Sequence, residues 1–550
     1  MKKLALILTT LLASAQCIAD ERWRFVDVTK QAGFNYSHGV DSLSYRNYGE
    51  LDKYVFAGGV AVGDYDNDGW VDLYVVRGNV GPNLLFRNLG DGTFKEVTRQ
   101  AGLASTERVV GSGPTFADFT GDGYLDLFVG GVGNATPKLY RNRGDGTFEN
   151  ITPEYGISDL HNSYSATFGD YDRDGDLDLY VSHWELSRNF NRNYLFENDG
   201  KGGFKDASVG AGLGNLINAD FTANFADVNS DGWPDLLVAA DFKHTKLFIN
   251  NQDGTFKDAT DATVFTDDNG MGASVGDYDN DGDLDWFVSS IWDPEPVENN
   301  KQWDSSGNRL YRNRGDGTFE DATDSAGVRE GYWGWGSCFA DFNNDGHLDI
   351  FHVTGYLTPN PKLKRLRPEK FLEDPLRLFL SNGNGTFTES SFELGLVDTG
   401  QGRGVSCFDY DRDGDLDIFL TNFGGPPRLY RNDGGNSQHY LNVSLKGESL
   451  NTEAIGARVY VTTNGVTQMR ELRAGSNFES QDPAEAHFGL GNATNIEELR
   501  LVWPDGKETI FIDVAVNQII KLTPRSKHSS FYKYLNQNDT AKSSVVGSNR

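Results

Sequence analysis

The chain has 550 residues, 80 acidic against 50 basic side chains, a formal charge of −30, 64 glycines, 12% aromatics and three cysteines. A surface this negative repels phosphate backbones, which argues against nucleic acid as a partner and favours cations or cationic surfaces. The glycine and aromatic content argues against both a helical bundle and an unfolded acidic chain, and fits short strands joined by tight turns.

The N-terminal stretch MKKLALILTTLLASAQCIADE sets Lys2 and Lys3 before a short apolar core, Leu4 to Ala15. It predicts a secretory signal peptide, with cleavage after Ala15 or after Ala19; residues 1–19 are assigned to it. Cys17 sits where lipidation is an alternative to removal. No later apolar run is long enough for a membrane span, so the mature chain is expected to be secreted, extracellular or periplasmic.

From residue 20 to about 436 one unit repeats. Its signature is GDYDNDGWVDLYV at 63–75, and the nine-residue acidic core of that stretch returns six times, at spacings of 54, 52, 57, 50, 64 and 68 residues. Periods of this size with several short strands each indicate propeller blades. Aspartates at positions 1, 3 and 5, glycine at 6, a carbonyl at 7 and aspartate at 9 converge on one point, as a hard cation wanting six to eight oxygens requires. No glutamate follows at position 12 and an alternating strand starts instead, so this is not an EF-hand.

The expected ligands, each loop supplying its position-7 residue through the carbonyl, run in chain order. The first loop offers Asp64, Asp66, Asp68, Trp70 and Asp72. The second offers Asp118, Thr120, Asp122, Tyr124 and Asp126, and the third Asp170, Asp172, Asp174, Asp176 and Asp178. The fourth offers Asp227, Asn229, Asp231, Trp233 and Asp235, and the fifth Asp277, Asp279, Asp281, Asp283 and Asp285. The sixth offers Asp341, Asn343, Asp345, His347 and Asp349, and the seventh Asp409, Asp411, Asp413, Asp415 and Asp417. Bare carboxylates this close would repel strongly, so up to seven Ca2+ ions are expected, bound more weakly where Thr120, Asn229 or Asn343 replaces the third-position aspartate.

Between the loops stand hairpins such as NLGDGTFKEVT at 88–98 and NRGDGTFENIT at 142–152. Each unit then holds four strands, yet the seventh stops at Asn432-Asp-Gly-Gly. Its missing strand matches Arg24-Phe-Val-Asp-Val-Thr29. The reading is an all-β, seven-bladed propeller closed by the N-terminal strand, which removes a free sheet edge. These repeats resemble FG-GAP/VCBS repeats, the type that builds integrin-like propellers; GSGPTFADFTGDG at 111–123 is close to the naming pattern.

Removal of Cys17 leaves Cys338 and Cys407. They sit three and two residues before their loops, so alternation along a strand turns them to opposite faces, and two unpaired thiols are expected in preference to a disulfide.

Strand direction gathers the Asp loops and GDG turns at one end of the propeller and the longer connections at the other. A ligand face for glycan or protein is expected there, built on Trp184, Trp292, Trp303, Trp333, Trp335 and Tyr356, against the alternative that these rings merely pack over the channel. The basic insert KLKRLRPEK at 362–370 lies at that end and reads first as a solvated face. The two Arg-Gly-Asp triplets, 143–145 and 314–316, fall in GDG turns, where the hairpin already demands glycine and aspartate.

Residues 437–524 read as a small β-sandwich and 525–550 as a disordered tail. IGARV at 455–459, RELRAGSNFESQ at 470–481, HFGLG at 487–491 and VWPDG at 502–506 resemble the ASPIC/UnbV module. Propeller plus module is similar to the cartilage acidic protein family and its bacterial relatives. The resemblance implies an acidic, secreted, calcium-binding protein serving adhesion or extracellular binding, and it brings no catalytic residues. The alternative is a polysaccharide lyase or hydrolase on the aromatic face, with His183, Arg188, His352 and Tyr356 as first acid/base candidates.

Overall fold

The computed structural model describes residues 23–40, 52–106, 109–133, 135–157, 160, 162–184, 193–214, 219–293, 305–356, 368–526 and 532–533. The signal segment 1–19, Arg188, Trp303, residues 362–367 of the basic insert and nearly all of the tail beyond Ser526 lie outside them.

In the first unit the strands Val60–Gly63, Asp72–Val75, Leu84–Asn88 and Phe94–Glu96 pair in sequence order, each antiparallel to the next. The Asp loop turns the first strand into the second, and the GDG turn joins the third to the fourth. The inner strand VAVG is buried at every residue, because neighbouring sheets cover both its faces; the outer strand FKE buries only Phe94.

Seven four-stranded sheets of this kind are present among the described residues. Their inner strands touch in cyclic order, Val60–Gly63 meeting both Gly111–Ala117 and Gly402–Phe408. Ring closure follows the expected route: Arg24–Asp27 pairs antiparallel with Arg428–Asp433, setting Phe25 opposite Asn432 and Val26 opposite Arg431.

After the ring, two further four-stranded sheets stack over one core that includes Leu441, Val459, Phe488, Leu499 and Trp503. One contains a parallel pair, His439–Leu445 with Gln518–Leu522; the other runs Val466–Glu471, Arg458–Thr463, Ile496–Val502, Glu508–Val514.

The cysteine expectation is overturned. Cys338 and Cys407 form a disulfide that joins the inner strands of consecutive blades, with Cα atoms 6.6 Å apart. Blades pack face to face, so side chains pointing to opposite faces of two successive sheets point at each other. Alternation holds within each strand, but opposite faces mean separation only within a single sheet.

Candidate functional site

Each Asp loop is organised by its own carboxylates. Asp64 accepts the Asp68 and Gly69 N–H groups, both at 2.9 Å, and the same pattern recurs at Asp118, Asp227, Asp277, Asp341 and Asp409. Position 4 is left-handed in all seven loops, with φ of 57° at Asn67, 70° at Gly121, 59° at Arg173, 57° at Ser230, 58° at Asn280, 57° at Asn344 and 59° at Arg412. That conformation is costly for a side-chain-bearing residue and reverses the chain between positions 3 and 5. Position 9 is fully buried: Asp72 accepts the N–H groups of Tyr65 (3.2 Å) and Asn88 (2.8 Å), tying the loop to the third strand.

In four loops the acids at positions 1, 3 and 9 bring three carboxylate oxygens within 4.8 Å of one another: Asp64, Asp66, Asp72; Asp170, Asp172, Asp178; Asp277, Asp279, Asp285; and Asp409, Asp411, Asp417. These are the four-aspartate loops of the sequence. Every group also contains a buried oxygen without a hydrogen-bond donor: Asp66 Oδ1, Asp170 Oδ1, Asp279 Oδ1 and Asp411 Oδ1. An all-oxygen, anionic set with an orphaned buried acceptor fits a hard divalent cation.

Burial pushes the carboxyl of Asp64 up to about 6. Burial, reinforced by Asp174 and Asp172, pushes Asp170 to about 7. Asp72, Asp178, Asp285 and Asp417 rise well above the carboxylate range, chiefly from burial. A cation would compete with protons for these sites. In the sixth loop the substitute side chain quiets its neighbour, Asn343 donating to Asp345 at 2.9 Å; Asn229 does the same to Asp231 at 3.0 Å.

One set of structural residues was quoted in the sequence but not understood from it. The asparagine at the end of the third strand is, in six of the blades, a clamp to the preceding blade. Asn142 Nδ2 donates to Leu125 O in its own loop (3.0 Å) and to Tyr65 O in the preceding blade (2.8 Å). Asn88, Asn198, Asn250, Asn313 and Asn432 repeat the contact, on Tyr410, Phe119, Tyr171, Val228 and Phe342 respectively. The return of asparagine at this one place in six repeats was the available signal.

The predicted ligand face needs correction. Trp335 is fully buried on an inner strand, and Trp184, Trp333 and Tyr356 are also buried. Trp184 donates its indole N–H to Asp241 (2.8 Å) and stacks on Phe221; Trp333 stacks on Tyr356 at 3.8 Å. Trp292 is half-buried against Tyr332. Large rings beside a narrow channel gain more from packing than from exposure, so Trp184, Trp333, Trp335 and Tyr356 pack over the channel and do not offer a stacking platform. The described acid/base candidates, His183, His352 and Tyr356, are buried as well. Burial pushes His352 down to about 3, and its ring nitrogens face Asn308 and the Val353 carbonyl; His183 is 1% exposed.

The other end of the channel is filled by the C-terminal module. Gln481 exchanges two hydrogen bonds with the Phe116 backbone (2.6 and 2.7 Å), Asn477 donates to Val405 O (2.9 Å), and Asp482 accepts the Cys407 N–H (2.8 Å). Phe478 meets Phe221 and Trp335 at ring separations of 5.4 and 5.2 Å. Beside it lies Glu479, fully buried; burial pushes its carboxyl well up, against the pull of Arg403. Arg403 itself stacks on Trp335 and donates to Val55 O.

The FG-GAP-like repeat family matches residues 64–129, 118–181, 186–238, 227–288, 302–352 and 372–420, more than half of the chain. The chain belongs to the FG-GAP-repeat family. Residues 447–529 of this FG-GAP protein match the ASPIC and UnbV family, over most of the sandwich. It is similar to cartilage acidic protein 1 of Mus musculus, 26% identical over 486 residues, 82% of this chain and 70% of the relative. The protein of the same name from Homo sapiens is 26% identical over 491 residues, 82% of this chain and 69% of that one. Among solved structures, the BP39L lectin from Burkholderia pseudomallei aligns with a TM-score of 0.43 and 10% identity, covering 69% of this chain and 97% of the lectin.

Proposed function

We propose that this FG-GAP protein is a calcium-stabilised, non-enzymatic extracellular binding protein, exported by residues 1–19, whose partner is a glycan or an extracellular protein. The observation that carries the reading is the set of four three-carboxylate groups, each with a shielded oxygen lacking a donor. Seven loops share one design, so the cation works as a repeated fastener between the first two strands of a blade. Similarity to cartilage acidic protein 1 supports an extracellular binding role. The burial of His183, His352 and Tyr356 removes these three as accessible acid/base groups for the hydrolase or lyase reading.

The test has two parts. Calorimetric titration of the cation-stripped full chain with calcium is expected to find at least the four sites, and excess EDTA is expected to lower the melting temperature. No bound calcium together with an unchanged unfolding curve would overturn the stabilised-scaffold reading. A glycan and extracellular-protein array then identifies the partner, and turnover of an arrayed polysaccharide would defeat the non-enzymatic reading.

A further inference from the structure

Two of the seven loops are identical, DYDRDGDLD at 170–178 and 409–417, and among the seven only these carry arginine at position 4. Both belong to three-carboxylate groups. Both arginines are left-handed, at φ 59°, and reach away from the acids to the C-terminal module. Arg412 forms a two-point pair with Glu485, at 2.6 and 2.7 Å, and is itself nearly buried. Arg173 donates to the Pro504 carbonyl at 3.0 Å. The first of these loops also holds the module by backbone, Asn451 N–H donating to Gly175 O at 3.1 Å.

We propose that the aspartate-loop end of the propeller is a cation-dependent docking surface for the chain's own C-terminal module, with Arg173 and Arg412 as its two latches. The inference rests on the calcium reading above and adds what the calcium controls. Position 4 lies between the acids of positions 3 and 5. A cation drawing those two acids inward holds the intervening residue in its left-handed turn and aims the arginine outward. Without the cation the acids repel, the turn relaxes to a cheaper conformation, and the arginine leaves its partner. The bidentate Arg412–Glu485 pair depends on fixed geometry and is the contact most sensitive to such a shift.

The consequence reaches the channel. The segment that fills it, 474–482, leads directly into Pro483 and Glu485, so loss of the latch frees the hairpin that carries Phe478. The docked module buries Trp335, Phe221 and Arg403 at the propeller axis; the released module exposes them. Calcium concentration thereby sets whether the channel end is plugged by the chain itself.

Hydrogen exchange of the full chain, with calcium and with EGTA, reads this directly. Chelation is expected to speed exchange at 474–482 by about tenfold or more while the middle strands of the blades stay protected. In calcium, the R173A/R412A double variant is expected to show the same local loss, with calcium stoichiometry unchanged because neither side chain is a ligand. Protection at 474–482 that survives chelation, or that disappears only together with the blade strands, overturns the latch. If the titration finds no calcium at all, the scaffold reading fails first; if calcium binds and 474–482 stays protected in EGTA, only the latch fails.

Discussion

Asn142 donates its side-chain amide to the Tyr65 carbonyl of the preceding blade at 2.8 Å, and the ring repeats that bond at five other junctions. The donor is fully buried, and its oxygen accepts the Gly144 N–H, so the one side chain joins a blade, its turn and its neighbour. Replacing it with alanine leaves two buried carbonyls without their donor. Asn142→Ala is expected to cost about 2–3 kcal/mol, read as a lower urea midpoint. A midpoint shift within error of zero would mean that the clamp contributes nothing.

The junction after the fifth blade lacks the clamp. Ser381 stands where the other blades have asparagine; its N–H still donates to Asp349 (2.8 Å), but its hydroxyl accepts the Gly383 N–H. A hollow lined by Tyr278, Arg312 and Asn384 opens there. Ser381→Asn is expected to restore the bond to the Tyr278 carbonyl and to add about 0.5–1.5 kcal/mol. Thermal melts of variant and parent, both in saturating calcium, decide it; a lower melting temperature counts against the clamp geometry.

The disulfide joins residues 69 apart in the sequence. A cross-link of that length restricts the unfolded chain by about 4 kcal/mol in the chain-entropy account. Intact-mass measurement is expected to show the two cysteines oxidised in exported protein, and Cys407→Ser to lower the melting temperature. Equal melting of the reduced and oxidised forms would remove the bond from the list of fasteners.

Asp241 supplies a pH test away from the metal loops. Burial pushes its carboxyl up to about 7, outweighing the hydrogen bond from Trp184. The folded chain therefore keeps a proton that the unfolded chain releases near the ordinary carboxylate pKa of about 4. Stability from this group is present below about 4 and is lost as the pH climbs to about 7. The amide oxygen introduced by Asp241→Asn would still accept from Trp184, and the amide acquires no charge. The melting temperature of D241N minus that of the parent is expected to grow more positive from about pH 5 to about pH 8. A constant difference across that range would show that the carboxyl titrates normally.

The ring, its closing strand and the acidic loops were legible in the residues because they rest on local rules repeated many times. Alternation marks a strand, Asp-x-Asp-x-Asp-Gly marks a convergent turn, and the unpaired strand at 24–29 had one vacancy to fill. The Asn clamp was visible as a letter but not as a bond, since its partner lies 77 residues away. Cys338 and Cys407 were placed on the correct strands and given the wrong outcome, because pairing depends on how consecutive sheets face each other.

What the sequence determined by itself is the repeating unit and its charge: spacing and side-chain chemistry within one blade are short-range properties. The tertiary structure alone decided which surfaces survive assembly. Trp184, Trp333, Trp335 and Tyr356 have the composition of a binding face, yet ring closure turns them inward, where their apolar area is removed from water. The stretch RAGSNFESQ carries part of the likeness to the ASPIC/UnbV module, yet only docking carries Phe478 and Glu479 to the propeller axis. Burial is a property of the whole packed ring and its module, so no window of residues contains it.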